Sequence, residues 1–184
     1  MMLNTDRLVL REFVADDWHA VLAYQSDSRY LQYYPWTERT AEEVQAFVRR
    51  FIGWQAEEPR IRFQLAVVLR TEGQLIGTCG IRMGAADIRK ADLGYEIAPS
   101  HWGQGYATEA SRAVLGFGFE ELGLHRVWAS CLAENAASAR VLEKLGMWYE
   151  GRLRDDHWMK GHWWDTLVYG MIEDEWTAAG LTAG

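Results

Sequence analysis

The chain of 184 residues carries a formal charge of −7 with a pI near 5.2, and 49% of its residues are hydrophobic. This length suits one domain that buries roughly 70% of its unfolded surface, and the acidic balance speaks against a nucleic-acid partner, which calls for a basic face. No run nears the ~20 apolar residues of a membrane span, charged Asp6, Arg7 and Arg11 interrupt any signal-peptide core, and Cys79 and Cys131 are too few for a disulfide framework, so the expectation is a cytoplasmic domain with two buried thiols.

Residues 8–13 alternate as an opening strand. Asp16 or Asp17 then caps a helix to about Tyr24. Pro35 breaks the chain, and Thr40 with Glu43 three residues on forms a capping box for a helix to about Gln55. Residues 62–69 and 74–82 are two strands around a turn at 71–73, and a third strand spans 91–97, ended by Pro99. A helix runs from Tyr106 to about Leu122 and stops at Gly123, followed by a strand at 125–131 and a short helix at 135–145 closed by Gly146. Strands at 147–154 and 165–172 close the order, turning near Lys160-Gly161. The pattern is a mixed α/β domain, without repeats or linkers.

The most informative run is 100–110, Ser-His-Trp-Gly-Gln-Gly-Tyr-Ala-Thr-Glu-Ala. A strand, a glycine-rich turn and a helix start in that order hold a phosphate, because the first turn of a helix has free N–H groups and the positive end of its dipole. Gly103 and Gly105 allow close backbone approach, Ala107 keeps the next turn open, and Thr108 adds a hydroxyl. Residues 102–107 resemble the pyrophosphate loop of the GCN5-related N-acetyltransferases (GNAT), (Gln/Arg)-x-x-Gly-x-(Gly/Ala). Gly105 and Ala107 match the small positions, and Trp102 departs from the opening Gln/Arg. A second mark, Asn135-Ala-Ala-Ser138 with Glu143-Lys-Leu-Gly146, resembles that family's Asn-x-x-Ser…Lys-x-Gly-Phe, with Met147 in place of the aromatic. The form Trp-Gly-Gln-Gly-Tyr-Ala-Thr-Glu-Ala looks like the branch of the ribosomal-protein alanine acetyltransferases (RimJ/RimL-like).

The resemblance implies a GNAT fold: a central, mostly antiparallel sheet with a splayed strand pair and flanking helices. It implies acetyl-CoA as donor, no metal, and an amine as acceptor, either a protein N-terminus or a small molecule such as an antibiotic, polyamine or amino acid. Its pyrophosphate would rest on Trp102, Gly103, Gln104, Gly105, Tyr106, Ala107 and Thr108. The backbone at Glu96 and Ile97 would polarise the thioester, Asn135 would meet the amide arm, and Ser138 would serve the sulfur as general acid or orienting hydroxyl. Asn135 also fits a plain helix cap. Candidate bases are Glu96 and Asp92, on one face of a strand about 13 Å apart, and His157, whose imidazole suits proton transfer near neutral pH. His157 and His162 lack a third metal ligand. Trp36, Trp54, Trp158, Trp163 and Trp164 are candidates to wall the acceptor pocket. Relatives in this family often pair through their final strands, which allows a homodimer. The other classes weighed are a CoA-binding module without turnover and a dinucleotide site, which wants Gly where Thr108 stands.

Overall fold

A computed structural model describes residues 1–180. Eight strands form one sheet: β1 (Met2–Asn4), β2 (Leu8–Glu12), β3 (Arg62–Leu69), β4 (Leu75–Met83), β5 (Lys90–Ile97), β6 (Arg126–Leu132), β7 (Trp148–Met159) and β8 (His162–Ile172). Their order is β1-β2-β3-β4-β5-β6-β8-β7. Every pairing is antiparallel except β5 with β6, which is parallel and lasts only from Lys90↔Arg126 to Asp92↔Trp128. β5 runs on to Ile97 and β6 to Leu132 without pairing further, so the sheet opens into a V at its middle.

Helices cover both faces. One face carries α1 (Trp18–Gln25), α2 (Ser28–Leu31) and α3 (Ala41–Trp54), packed through Val21, Val44, Val48 and Phe51 onto Ala66 and Val68. The other carries α4 (Tyr106–Gly116), α5 (Ala136–Lys144) and α6 (Glu173–Ala178), where Val114, Leu142 and Trp176 share a core with Leu93, Val127 and Met171. Each sheet face is therefore buried by its own layer of helices. None of the described helices is long and apolar enough to cross a membrane.

Helix α3 starts where the capping box requires. Thr40 is extended (φ −88°, ψ 157°), its hydroxyl accepts from the Glu43 N–H, and the Glu43 carboxylate accepts from the Thr40 N–H. Asp17 does not cap α1. Its backbone is already helical, and its carboxylate accepts two bonds of 2.8 Å from the Arg11 guanidinium and one from the Val14 N–H. The helix from Tyr106 widens into a π-turn over Phe117–Glu121 before ending at Gly123 (φ 60°). The final two strands extend through the Lys160-Gly161 turn. Short β1, α2 and α6 are additions to the elements expected from the sequence.

Candidate active site

A cleft of about 580 Å³ passes through the V between β5 and β6. Ala98 donates its N–H to the Ile76 carbonyl of β4 at 2.7 Å. In an antiparallel ladder alternate residues direct both backbone groups to one neighbour. Even-numbered residues of β5 therefore face β4, while Tyr95 and Ile97 direct their N–H and C=O groups into the gap. The Ile97 carbonyl receives the Trp102 indole N–H at 2.6 Å. Trp102 thus pins the glycine loop to the end of β5, which explains why an indole can stand at the departing position of the motif. The Ile97 N–H is left directed into the V.

The loop and helix start are shaped for an anion. Gly103 and Gly105 have φ of 75° and 84°, values that L side chains rarely adopt, and Gly105 precedes the first turn of α4. Gly103, Gly105, Tyr106, Ala107 and Thr108 line the cleft. Gln104 does not: its carbonyl accepts from Arg7 at 3.0 Å, and its amide lies back over Ser100. Two cations that the motifs did not flag, Arg140 and Lys144, also line the cleft one turn apart on α5. With backbone donors at the α4 start, these residues fit a pyrophosphate-bearing cofactor.

Glu109 braces this loop. Its carboxylate accepts from the Thr5 hydroxyl at 2.6 Å, the Arg7 N–H at 3.0 Å and the Arg7 guanidinium at 2.7 Å. Burial works to raise its pKa, and the bonds from Thr5 and Arg7 outweigh it, so the group titrates below the ordinary glutamate range. The folded pKa lies below the unfolded one, so this stabilisation is present above about pH 4.3 and is lost as pH falls through the folded value. Glu109→Gln is expected to cost about 1–3 kcal/mol at pH 7. In denaturant titrations the gap from wild type should shrink below about pH 4; an equal gap at pH 3.5 and 7 would contradict the brace.

On the α4–α5 side, the Tyr95 hydroxyl lies 2.8 Å from Ser138 Oγ and 3.1 Å from the Ser138 carbonyl. Burial raises the Tyr95 pKa, against the Ser138 hydrogen bond, so the phenol stays protonated. Asn135 is the N-cap of α5, with Oδ1 accepting from the Ser138 N–H at 3.1 Å, and its Nδ2 remains for the cleft, which it lines. Cys131 also lines the cleft, half-buried rather than enclosed, whereas Cys79 is fully buried and its thiol is pushed up to about 12 by desolvation.

Glu96 projects to the opposite face. Its Oε2 accepts from the Tyr24 hydroxyl at 3.0 Å and Gln25 Nε2 at 3.1 Å, and its Oε1 accepts from the Tyr34 hydroxyl at 3.3 Å. Gln25 is fully buried, and Arg39 Nε donates to its Oε1 at 3.1 Å. Because a guanidinium can only donate, the amide must turn its N–H₂ toward Glu96. A carboxylate offers about four lone-pair sites, and three are taken, so the remaining acceptor position is on Oε1. Desolvation, followed by the Glu96 charge, pushes the Tyr24 and Tyr34 pKa values well up and keeps both phenols as donors.

Asp92 is placed apart from the cleft. Arg82, its partner across the β4–β5 register, binds its Oδ2 with Nε at 2.8 Å, and Asp92 does not line the cleft. His157 lines the outer part of the cleft, exposed and 3.2 Å from Asp156. None of the five candidate tryptophans for the acceptor wall lines the cleft. Trp36 stacks behind Tyr34, Trp54 lies on α3, the Trp164 indole binds the Met159 carbonyl, and Trp158 and Trp163 are exposed on the hairpin. Tyr30, Tyr33 and Tyr34 line the cleft instead.

Residues 7–148 match the acetyltransferase (GNAT) domain family. The chain belongs to the GNAT acetyltransferases. A relative in Bacillus subtilis, the uncharacterised N-acetyltransferase YnaD, is 38% identical over 96% of this chain and 99% of its own. The crystal structure of a GNAT-family acetyltransferase from Bacillus anthracis matches with a TM-score of 0.83 at 33% identity, covering 95% and 99% of the two chains. The [ribosomal protein uS5]-alanine N-acetyltransferase of Escherichia coli is 26% identical over 95% of this chain and 92% of its own. This GNAT domain is an acetyl-CoA-dependent N-acetyltransferase, and its mixed sheet flanked by helices is the family's fold.

Proposed function

We propose that this acetyltransferase acts on the α-amine of a protein N-terminus. The observation that carries it is the single carboxylate of the cleft: Glu96 is the one acid among the described lining residues, and one lone-pair position of it is open. A polyamine would bring several ammonium groups to one acid. A peptide α-amine has a pKa of about 8, so roughly a tenth is neutral at pH 7, whereas a lysine amine near 10.4 costs about 4.6 kcal/mol to deprotonate there. The E. coli relative, named for an alanine of a ribosomal protein, supports the same acceptor class.

Acetyl-CoA, when bound, supplies the thioester that the amine attacks. Gly103–Thr108, Arg140 and Lys144 would hold its phosphates, and Asn135 its amide arm. Glu96 Oε1 takes the amine's proton, directly or through a water. The Ile97 N–H, aimed into the V, stabilises charge developing on the carbonyl oxygen. Ser138 Oγ, 2.8 Å from the Tyr95 hydroxyl, gives its proton to the leaving sulfur or orients it. Asp92 has no part in this scheme, and His157 at the mouth meets the acceptor rather than the reacting atoms. Exposed Trp148, Tyr149 and Leu153 on β7, the edge strand, support pairing of two copies there.

The test is CoA release with N-terminal peptides, an Nα-blocked lysine peptide and a polyamine. The α-amine is expected to lead in kcat/KM by about a hundredfold; a lead for either other amine overturns the assignment. Ser138→Ala is expected to lower kcat by about 10²-fold or more, and Tyr95→Phe less, with KM for acetyl-CoA nearly unchanged in both. A loss confined to that KM would instead make Ser138 a binding group.

A further inference from the structure

Among the described residues, three buried side-chain polar atoms lack a well-formed hydrogen bond: the hydroxyls of Thr166 and Tyr30, the latter with only a weak contact to the Tyr34 hydroxyl, and the indole N–H of Trp36. Tyr30 and Thr166 are 3% and 4% exposed, and both line the cleft. A buried hydroxyl without a partner has lost its water and gained nothing in return, so native structures keep few of them. Two in one cleft represent hydrogen-bonding capacity held for whatever enters it.

Both fall on the acceptor side. Along β8, Leu167, Tyr169 and Met171 pack toward α4 and α5, so alternation turns Thr166 to the opposite face, beside Leu132 of β6. That is the face to which Glu96 projects. Tyr30 belongs to α2, where its ring stacks on Tyr34 at 4.3 Å, and Tyr34 is the donor to Glu96 Oε1. At the tip of the β7–β8 hairpin, Lys160 Nζ donates to the Leu31 carbonyl at 2.6 Å, one residue from Tyr30. This bond ties the hairpin carrying Thr166 to the helix carrying Tyr30.

We propose that the Tyr30 and Thr166 hydroxyls recognise the group next to the reacting amine, and that this group is an amide, the first peptide unit of the acceptor. The inference rests on the α-amine assignment above and deepens it. A hydroxyl both donates to a carbonyl and accepts from an N–H, and a peptide unit presents one of each beside its α-amine. An alkylamine presents no carbonyl, so at least one hydroxyl would stay unpaired on binding it. A site whose buried polar groups are left unpaired by the wrong ligand discriminates more strongly than one that relies on apolar fit.

Tyr30→Phe and Thr166→Val each delete a hydroxyl at nearly constant volume. Each is assayed with an alanyl peptide and with a primary alkylamine of matched size. The peptide-over-alkylamine ratio in kcat/KM is expected to fall about tenfold in each variant, the ratio one hydrogen bond of ordinary net strength supplies. The change should sit in the peptide KM, with KM for acetyl-CoA unchanged. Tm should hold or rise, since an unpaired buried hydroxyl has been removed. A purely structural role would lower Tm and leave the ratio alone, and a ratio within twofold of wild type in both variants overturns the inference. If the wild type acetylates peptides and the variants keep the ratio, only this inference fails. If the wild type acetylates no peptide α-amine, the functional assignment fails and this inference with it.

Discussion

Glu96→Gln is expected to lower kcat/KM for acetyl transfer by about 10²–10⁴-fold, the range of a positioned general base, while CoA affinity stays within about twofold. Glutamine keeps the volume and one carbonyl oxygen, so it can still accept from Tyr24 and Gln25. Its N–H₂ would then face the Tyr34 hydroxyl, which can rotate to accept, and the fold should survive with a small change in Tm. What the variant cannot do is take a proton. Asp92→Asn is the matched control, since it removes a carboxylate from the same face of the same strand. That change breaks the pair with Arg82 and should cost stability, with the rate kept within about threefold. A Glu96→Gln enzyme at near wild-type rate, or an Asp92→Asn enzyme without activity, would reverse the assignment of the base.

These two carboxylates also mark how far the sequence could be read. Both are acidic, four residues apart, and on one face of a strand that alternation made plain. Which one is free depends on β4: the register sets Asp92 opposite Arg82 and Glu96 opposite Thr78. No local pattern carries that pairing. The donors around Glu96 come from positions 24, 25 and 34, more than sixty residues away, and Tyr95 meets Ser138 across forty-three. By contrast, the capping box of α3, the glycine loop and the cap at Asn135 are set by neighbours within a few residues, and each appears where its sequence places it. Asp17 does not cap α1 because its backbone is already helical, and its carboxylate is shared between the Val14 N–H and Arg11 on the adjoining strand. Arg140 and Lys144 carried a signal, two cations at i and i+4 on the helix opened by Asn135, but only the packing of α5 beside the V turns that face toward the cleft.

The glycine loop supplies the other large effect. Gly105→Glu is expected to weaken acetyl-CoA binding at least a hundredfold from an affinity of about micromolar, read by calorimetric titration. Two causes combine. At φ 84° an L side chain costs about 1–2 kcal/mol, and the added carboxylate stands at the helix N-terminus where the pyrophosphate's charge belongs. A Cβ on Gly105 would lie 3.5 Å from the Arg7 guanidinium, so a carboxylate there also competes with Glu109 for the loop's brace. Two further variants separate these effects. Gly105→Ala carries the strain alone and should lose about tenfold. Gly73→Glu, at φ 66° in the β3–β4 turn with open space around its Cβ, carries the same strain and charge away from the cleft; it should lose Tm and bind acetyl-CoA as wild type does. Equal affinities for Gly105→Glu and Gly73→Glu would remove the loop from the cofactor site and leave Arg140 and Lys144 as the groups that hold the phosphates.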